Sequence, residues 1–302
     1  MEILKSWEQP FGEGDAWIEP SKQWLRDNYW IPTTAGVVYV AFVFGMQKYL
    51  GEVDERRRMA WLQAEVEAGR TPDVEKAPTY QATEPAWVKA LLFSWNLALG
   101  LASMVGLYFS ATPIFEEVRR VGISGDLCND RSETANPWIF IFVFSKIIEL
   151  GDTVFLVMRR KPVALLHWYH HLVTLFFVWN AWAEGVENGG WFCAINLFVH
   201  SIMYPYFAFA CYFRFPNVFR AMLTGIQLIQ MVVGAVLIGH NVLVCPKHIP
   251  SLVFMVLVYL SFIALFGQLF WDNYCRKRPN RGPPRVTAKP TTESATKTVK
   301  GE

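Results

Sequence analysis

The chain has 302 residues, of which 53% are hydrophobic, 16% aromatic and only 18% charged, against roughly 25% charged in an ordinary soluble domain. Its 28 basic and 26 acidic residues leave a net charge of +2, and five cysteines are few for this length, which excludes a disordered chain, a nucleic-acid binder and a disulfide-rich secreted module. What remains is an all-α polytopic membrane protein.

Residues 1–31 carry Glu2, Lys5, Glu8, Glu13, Asp15, Glu19 and Lys22 without an apolar core, unlike a cleaved signal peptide, so the first apolar run must target the chain. Apolar runs near the ~20 residues that cross ~30 Å of hydrocarbon follow at about 32–50, 87–110, 137–158, 164–182, 191–212, 220–244 and 251–275. They predict seven transmembrane helices, with Trp30, Trp87, Trp138, Trp182, Trp191 and Trp271 near span ends, where aromatic side chains favour the interface. The stretch 51–86 reads as a solvated loop, although Met59, Leu62 and Val66 share one helical face. The tail 276–302 is basic, Pro-rich and nearly free of apolar residues, and is expected to be disordered near anionic head groups. Lys300 sits third from the end, without the adjacent lysine of a dilysine retrieval signal. Counting Lys and Arg in alternate loops gives eighteen on the side of the 51–86 stretch and the tail against seven on the other. That asymmetry predicts a cytosolic C-terminus and a lumenal N-terminus. Cys128 and Cys245 then fall on the non-cytosolic side, where a bridge between them is expected and two free thiols are the alternative.

An ionisable group near the bilayer centre costs roughly 2.5–3.5 kcal/mol on insertion scales and marks a functional candidate. Lys146, Glu149 and Thr153 share one face of the third span at i, i+3 and i+7, with Asp152 on its flank. The fourth span opens His167-Trp168-Tyr169-His170-His171, which puts three imidazoles within about 100° of arc. Asn196, His200, Met203 and Tyr204 share a face of the fifth span, and Thr224, Gln227 and Gln230 recur at threefold spacing in the sixth. Read singly, such amides and phenols serve equally well as interhelical hydrogen-bond partners. With ~1.5 Å rise per residue, Asp152, His170 and Tyr204 fall near ~10 Å from the predicted cytosolic helix ends, with Lys146, His200, Gln227 and Gln230 deeper. The four spans therefore predict one polar chamber in the cytosolic half, above an apolar, aromatic lumenal half.

Clustered histidines first suggest a metal, since imidazole ligates zinc and iron and HxxHH resembles a motif of membrane di-iron desaturases and hydroxylases. Those enzymes need about eight histidines by that resemblance, whereas this chain has six, with His240 and His248 predicted on the far side. The other reading is an imidazole acting as nucleophile or base. Cys193 and Cys211 lie near opposite ends of the fifth span, so a thiol nucleophile is not expected.

Lys146-x-x-Glu149-x-x-Asp152-Thr153, His167-x-x-His170-His171, Asn196-x-x-x-His200-x-x-Met203-Tyr204 and Thr224-x-x-Gln227-x-x-Gln230 resemble, in order and spacing, the signature of the ELO family of very-long-chain fatty acid elongases. The likeness runs from about Asn136 to Tyr274. It implies a 3-oxoacyl-CoA synthase, which condenses acyl-CoA with malonyl-CoA and releases CO2 and CoA. It also implies an endoplasmic reticulum membrane enzyme with six of seven helices around a closed-ended acyl tunnel, no cofactor and no metal. Partner enzymes would be the ketoacyl-CoA reductase, the dehydratase and the enoyl-CoA reductase of the cycle; oligomeric state is open, a homodimer among the options.

Within that resemblance, His170 is the expected nucleophile and His200 the facing base, orienting group or enolate stabiliser. His167 and His171 complete the site, Glu149 and Asp152 fix tautomers, and Lys146, Asn196, Tyr204, Gln227 and Gln230 line it. Condensation in one step, with histidine only as base, is the competing mechanism. Phosphates of CoA call for basic groups at the cytosolic mouth, with Arg159, Arg160, Lys161, Arg276 and Lys277 as candidates. Elongases of polyunsaturated chains resemble one another in carrying Gln five positions before the first motif histidine, where this chain has Pro162. Saturated or monounsaturated acyl-CoA is therefore expected. A seven-helix receptor has no use for three histidines at one helix start, and a transporter commonly shows repeats or broken helices.

Overall fold

The computed structural model describes residues 17–72, 85–128, 137–186, 188–247 and 249–276. Within them the fold is helical: α1 (Ile18–Asp27), α2 (Trp30–Glu67), α3 (Ala86–Leu127), α4 (Pro137–Glu149), α5 (Gly151–Met158), α6 (Leu165–Glu184), α7 (Gly189–Ala210), α8 (Asn217–Val244) and α9 (Ile249–Phe270), closed by a π turn, Trp271–Cys275. Prolines set several starts, with Pro85 before α3, Pro216 before α8 and Pro137 opening α4. A fixed φ and a missing N–H cost nothing in the first helical turn.

Five helices are long and apolar enough to cross a membrane: α2, α3, α7, α8 and α9 with its π turn. The remaining two expected spans are the ones that carry the ionisable motifs. The run 137–158 is split into α4 and α5 at Leu150, and Lys146, Glu149 and Asp152 dilute its hydropathy. In α6 the three histidines do the same.

Two loop expectations are corrected. Residues 51–67 are not a solvated loop but the helical continuation of α2, because nothing between Gly51 and Glu67 breaks a helix and the stretch is rich in Glu, Arg, Met, Leu and Ala. Residues 111–127 likewise continue α3, interrupted only at Gly122, whose φ is 78°. Of the segment 1–31, the described residues begin at Trp17 and pack on the bundle. Its α1 docks on α6, with Leu25 fully buried, Trp179 Nε1 donating to the Leu25 carbonyl at 3.0 Å and Arg26 Nη1 donating to the Ala183 carbonyl at 2.9 Å. The tail beyond Arg276, His248 and Lys277 lie outside the described residues.

The helix α6 is central, packing on α1, α2, α4, α7 and α9. One apolar cluster joins it to α8 and α9 through Phe177, Met231, Ile238 and Tyr259; a second joins it to α1 and α4 through Leu25, Phe142 and Trp179; a third lies against α2 and α5 around Tyr39, Val43 and Val157. Large apolar side chains such as Val37, Phe44, Leu101, Ile229 and Leu257 are exposed, as they are on helices whose outer faces meet lipid. Cys128, after α3, and Cys245, after α8, are joined in a disulfide with 5.8 Å between Cα atoms. His motifs at the start of the central helix are thus brought against facing helices.

Candidate active site

Lys146 on α4 is almost completely buried and donates to Glu149 Oε1 and Oε2 at 2.8 and 3.0 Å and to Asn196 Oδ1 on α7 at 2.8 Å. Its ammonium also sits 4.1 Å above the Phe142 ring, a favourable contact for a desolvated cation. Ser145 Oγ adds a third donor to Glu149, at 3.0 Å. A buried charge is tolerated only when paired and hydrogen-bonded, and this cluster meets both conditions. Across it, His200 Nδ1 lies 3.8 Å from Glu149 Oε1, and His200 Nε2 lies 3.4 Å from Asn196 Nδ2.

The break at Leu150 turns α5 so that Asp152 faces α3 and α7. Trp95 Nε1 donates to Asp152 Oδ1 at 2.7 Å and the Tyr204 hydroxyl donates to Oδ2 at 2.9 Å. Gly151 is needed for that approach, since a Cβ there would stand 2.8 Å from Trp95 Cζ2. His171 Nε2 is 4.0 Å from Asp152 Oδ2. At the next position, fully buried Thr153 Oγ1 bonds both the Tyr39 hydroxyl of α2, at 2.8 Å, and His167 Nε2, at 2.9 Å.

The two outer histidines of the motif therefore have partners on α5. His170 differs. Its ring packs 5.0 Å from Phe262 and 6.1 Å from Phe266 of α9, and its Nδ1 is buried with no hydrogen-bond partner. Its ring lines a cavity together with Lys146, Asn196, Gln230, Tyr259 and Phe262. A second cavity lies along α6 among Ile139, Val143, Ala181, Trp182 and Val186, with Lys22 also in its lining. Both are lined by Phe142, Phe177, Val178 and Phe192.

Four sequence motifs thus converge through α4–α5, α6, α7 and α8, but not every expected role has its contact. Neither Glu149 nor Asp152 holds the His170 ring; their imidazole neighbours are His200 and His171. Gln230 lines the cavity, whereas Gln227 donates to Met203 Sδ at 3.2 Å and Thr224 to the Arg220 carbonyl at 3.0 Å. Among the basic candidates, Arg160 Nη1 pairs with Asp54 of α2 at 2.6 Å and Arg276 Nη1 with Asp272 Oδ1 at 3.6 Å. Arg159 and Lys161 flank Arg160 in the turn after α5. Trp95, Tyr39, Phe142 and the α9 aromatics were not singled out by the sequence; they are polar-tipped or apolar rings inside long apolar runs, with no spacing to separate them from packing residues.

Among the described residues, the group of His, Cys, Asp or Glu close enough to share an ion is Cys128, His240 and Cys245, two of which form the disulfide.

A family model described as ELO, GNS1/SUR4 family, matches residues 24–282. Very long chain fatty acid elongase 6 of Gallus gallus is 30% identical over 268 residues, covering 84% of this chain and 88% of the relative. The protein of the same name from Mus musculus is 28% identical over 282 residues, 89% of this chain and 92% of the relative. Fatty acid elongase 3 of Trypanosoma cruzi is 30% identical over 293 residues, 85% of this chain and 88% of the relative.

Proposed function

The chain belongs to the ELO, GNS1/SUR4 family of fatty acid elongases, and from that premise we propose that it is a 3-oxoacyl-CoA synthase whose acyl-enzyme forms on His170. The observation that carries the reading is His170 itself, whose Nδ1 is buried without a hydrogen-bond partner and whose ring lines a cavity together with the fixed cation Lys146. An uncommitted imidazole lone pair in a water-poor pocket is a competent nucleophile.

Attack of a His170 ring nitrogen on the thioester carbonyl forms a C–N bond and breaks the C–S bond, and the ring proton leaves with CoA as its thiol. Malonyl-CoA then loses CO2, its electron pair passing to the thioester enolate. The enolate carbon attacks the acyl-imidazole, the C–N bond breaks, and the 3-oxoacyl-CoA departs while the released imidazolate takes up one proton from water, which restores the imidazole. Lys146, locked by Glu149 and Asn196, stabilises the developing oxyanion without reorganising, and His200, beside Glu149 and Asn196, serves as base or enolate stabiliser. The acyl tail occupies the apolar cavities. CoA phosphates meet Arg159, Arg160, Lys161, Arg276 and Lys277 at the cytosolic mouth.

Seven spans follow if α4–α5 and α6 cross with the five apolar helices, six of them enclosing the tunnel, in the endoplasmic reticulum with the N-terminus lumenal. Saturated or monounsaturated acyl-CoA is the substrate class, resting on Pro162. The test is mass spectrometry of purified protein with acyl-CoA, first alone and then with malonyl-CoA. The expected results are an acyl adduct on the His170 peptide, and then a 3-oxoacyl-CoA two carbons longer, both lost in His170→Ala. Product without any adduct would favour one-step condensation; no product in folded protein would overturn the synthase reading.

A further inference from the structure

We propose that Gly234 of α8 and Tyr259 of α9 set the bore of the acyl path and so discriminate straight from kinked chains. The inference rests on the synthase reading and deepens it. Tyr259 lies flat on the α8 backbone: a Cβ built at Gly234 would stand 2.1 Å from its Cε1, 2.6 Å from Cζ and 2.9 Å from Cδ1. Only glycine lets the ring withdraw that far from the cavity it lines.

The ring is hemmed in by other aromatic side chains. It packs 5.6 Å from Phe192, 5.8 Å from Phe177 and 6.5 Å from Phe262, and it is almost completely buried. Close-packed interiors transmit such displacement instead of absorbing it. A methyl group at position 234 therefore has to displace the phenol ring, which lines the cavity shared with His170.

The location gives this bore its meaning. Phe177 and Phe192, the ring neighbours of Tyr259, line both cavities and so stand at their junction. Phe177 is seven residues along α6 from His170, about 10 Å, and Tyr259 is one turn of α9 beyond Phe262, which packs on His170. An acyl group on His170 would pass this point within its first several carbons. A saturated chain threads such a gap extended, whereas a cis double bond at that depth, roughly carbons 6 to 9 for ~10 Å of path, places a bend inside it. Bulk of about one methylene in an apolar pocket discriminates by roughly 10- to 200-fold.

The test is kcat/KM for malonyl-CoA condensation with palmitoyl-CoA, with a cis-Δ9 monounsaturated acyl-CoA and with a cis-Δ6 polyunsaturated acyl-CoA, in the full chain. Tyr259→Val is expected to raise the polyunsaturated-to-saturated ratio about tenfold, and Gly234→Ala to lower the monounsaturated-to-saturated ratio about tenfold. The double variant Gly234→Ala/Tyr259→Val returns the latter ratio towards the parent, which general destabilisation would not do. Tyr259→Phe keeps the ring and the parent ratios. Unchanged ratios in variants active on palmitoyl-CoA overturn the gauge and leave the synthase reading intact, as does a double variant no better than Gly234→Ala. Should Gly234→Ala not fold, Tyr259→Val decides alone. No product from any acyl-CoA in the folded parent overturns the synthase reading, and the gauge with it.

Discussion

Trp95 Nε1 donates to Asp152 Oδ1 at 2.7 Å while Tyr204 donates to the other carboxylate oxygen at 2.9 Å, so α3 and α7 clasp one acid on α5 between them. The clasp closes only because Gly151 leaves room for the indole. Trp95→Phe and Tyr204→Phe each strip one oxygen of its donor and are expected to cost about 1–3 kcal/mol. Gly151→Ala displaces the same indole, so Gly151→Ala/Trp95→Phe should melt close to the worse single variant. Full additivity of the two shifts in thermal melts would show that Gly151 does not act through Trp95.

The Lys146–Glu149 pair is enclosed by Phe142, Ser145 and Asn196. Lys146→Met leaves a carboxylate buried without its cation and is expected to destabilise by about 3–5 kcal/mol, whereas Lys146→Met/Glu149→Leu recovers much of that loss. Condensation should be lost in both, because the fixed cation is gone. Recovery of turnover along with stability would make the pair purely structural. Circular dichroism melts with product assays on the same preparations separate the two.

Much of this centre was legible beforehand because intramembrane charge is expensive and therefore conspicuous: Lys146, Glu149, Asp152, the three histidines of α6 and His200 all stood out against apolar surroundings. Their helical spacing also gave the shared faces. What the spacing hid was which partner each side chain finds. His167 and His171 take Thr153 and Asp152, and Glu149 approaches His200, so His170 is left with the cavity. The same scarcity of charge misled at the helix ends. Hydropathy stops where apolar residues stop, but α2 continues to Glu67, because a helix needs only residues that tolerate it. Gly234 and Tyr259 carried no signal at all; a glycine and a tyrosine in apolar runs announce a contact only once the helices are paired.

Chelators should leave condensation unchanged. His167 Nε2 is bonded to Thr153, His200 Nε2 contacts Asn196, and the histidines of this cluster do not converge with Asp or Glu on a common point among the described residues. Incubation with EDTA or phenanthroline, followed by the malonyl-CoA assay, is expected to give the untreated rate. A rate that falls with chelator and returns with added zinc or iron would restore the di-iron-like reading of the HxxHH motif.

Thr153 is the point where α2, α5 and α6 meet, its one hydroxyl bonded to both Tyr39 and His167. Thr153→Val is nearly isosteric but removes both bonds, leaving the Tyr39 hydroxyl and the His167 ring without that partner. Tyr39→Phe removes only the outer bond and frees Thr153 to serve His167 alone. If Thr153 fixes the ring next to His171, Thr153→Val should lower kcat by about 10- to 100-fold, the scale of a misplaced group, with KM for acyl-CoA little changed. Tyr39→Phe should keep most of kcat. Equal losses in both variants would mean that the outer bond matters as much as the inner one, and a parent-like kcat in Thr153→Val would remove His167 from the positioning of the reactive centre.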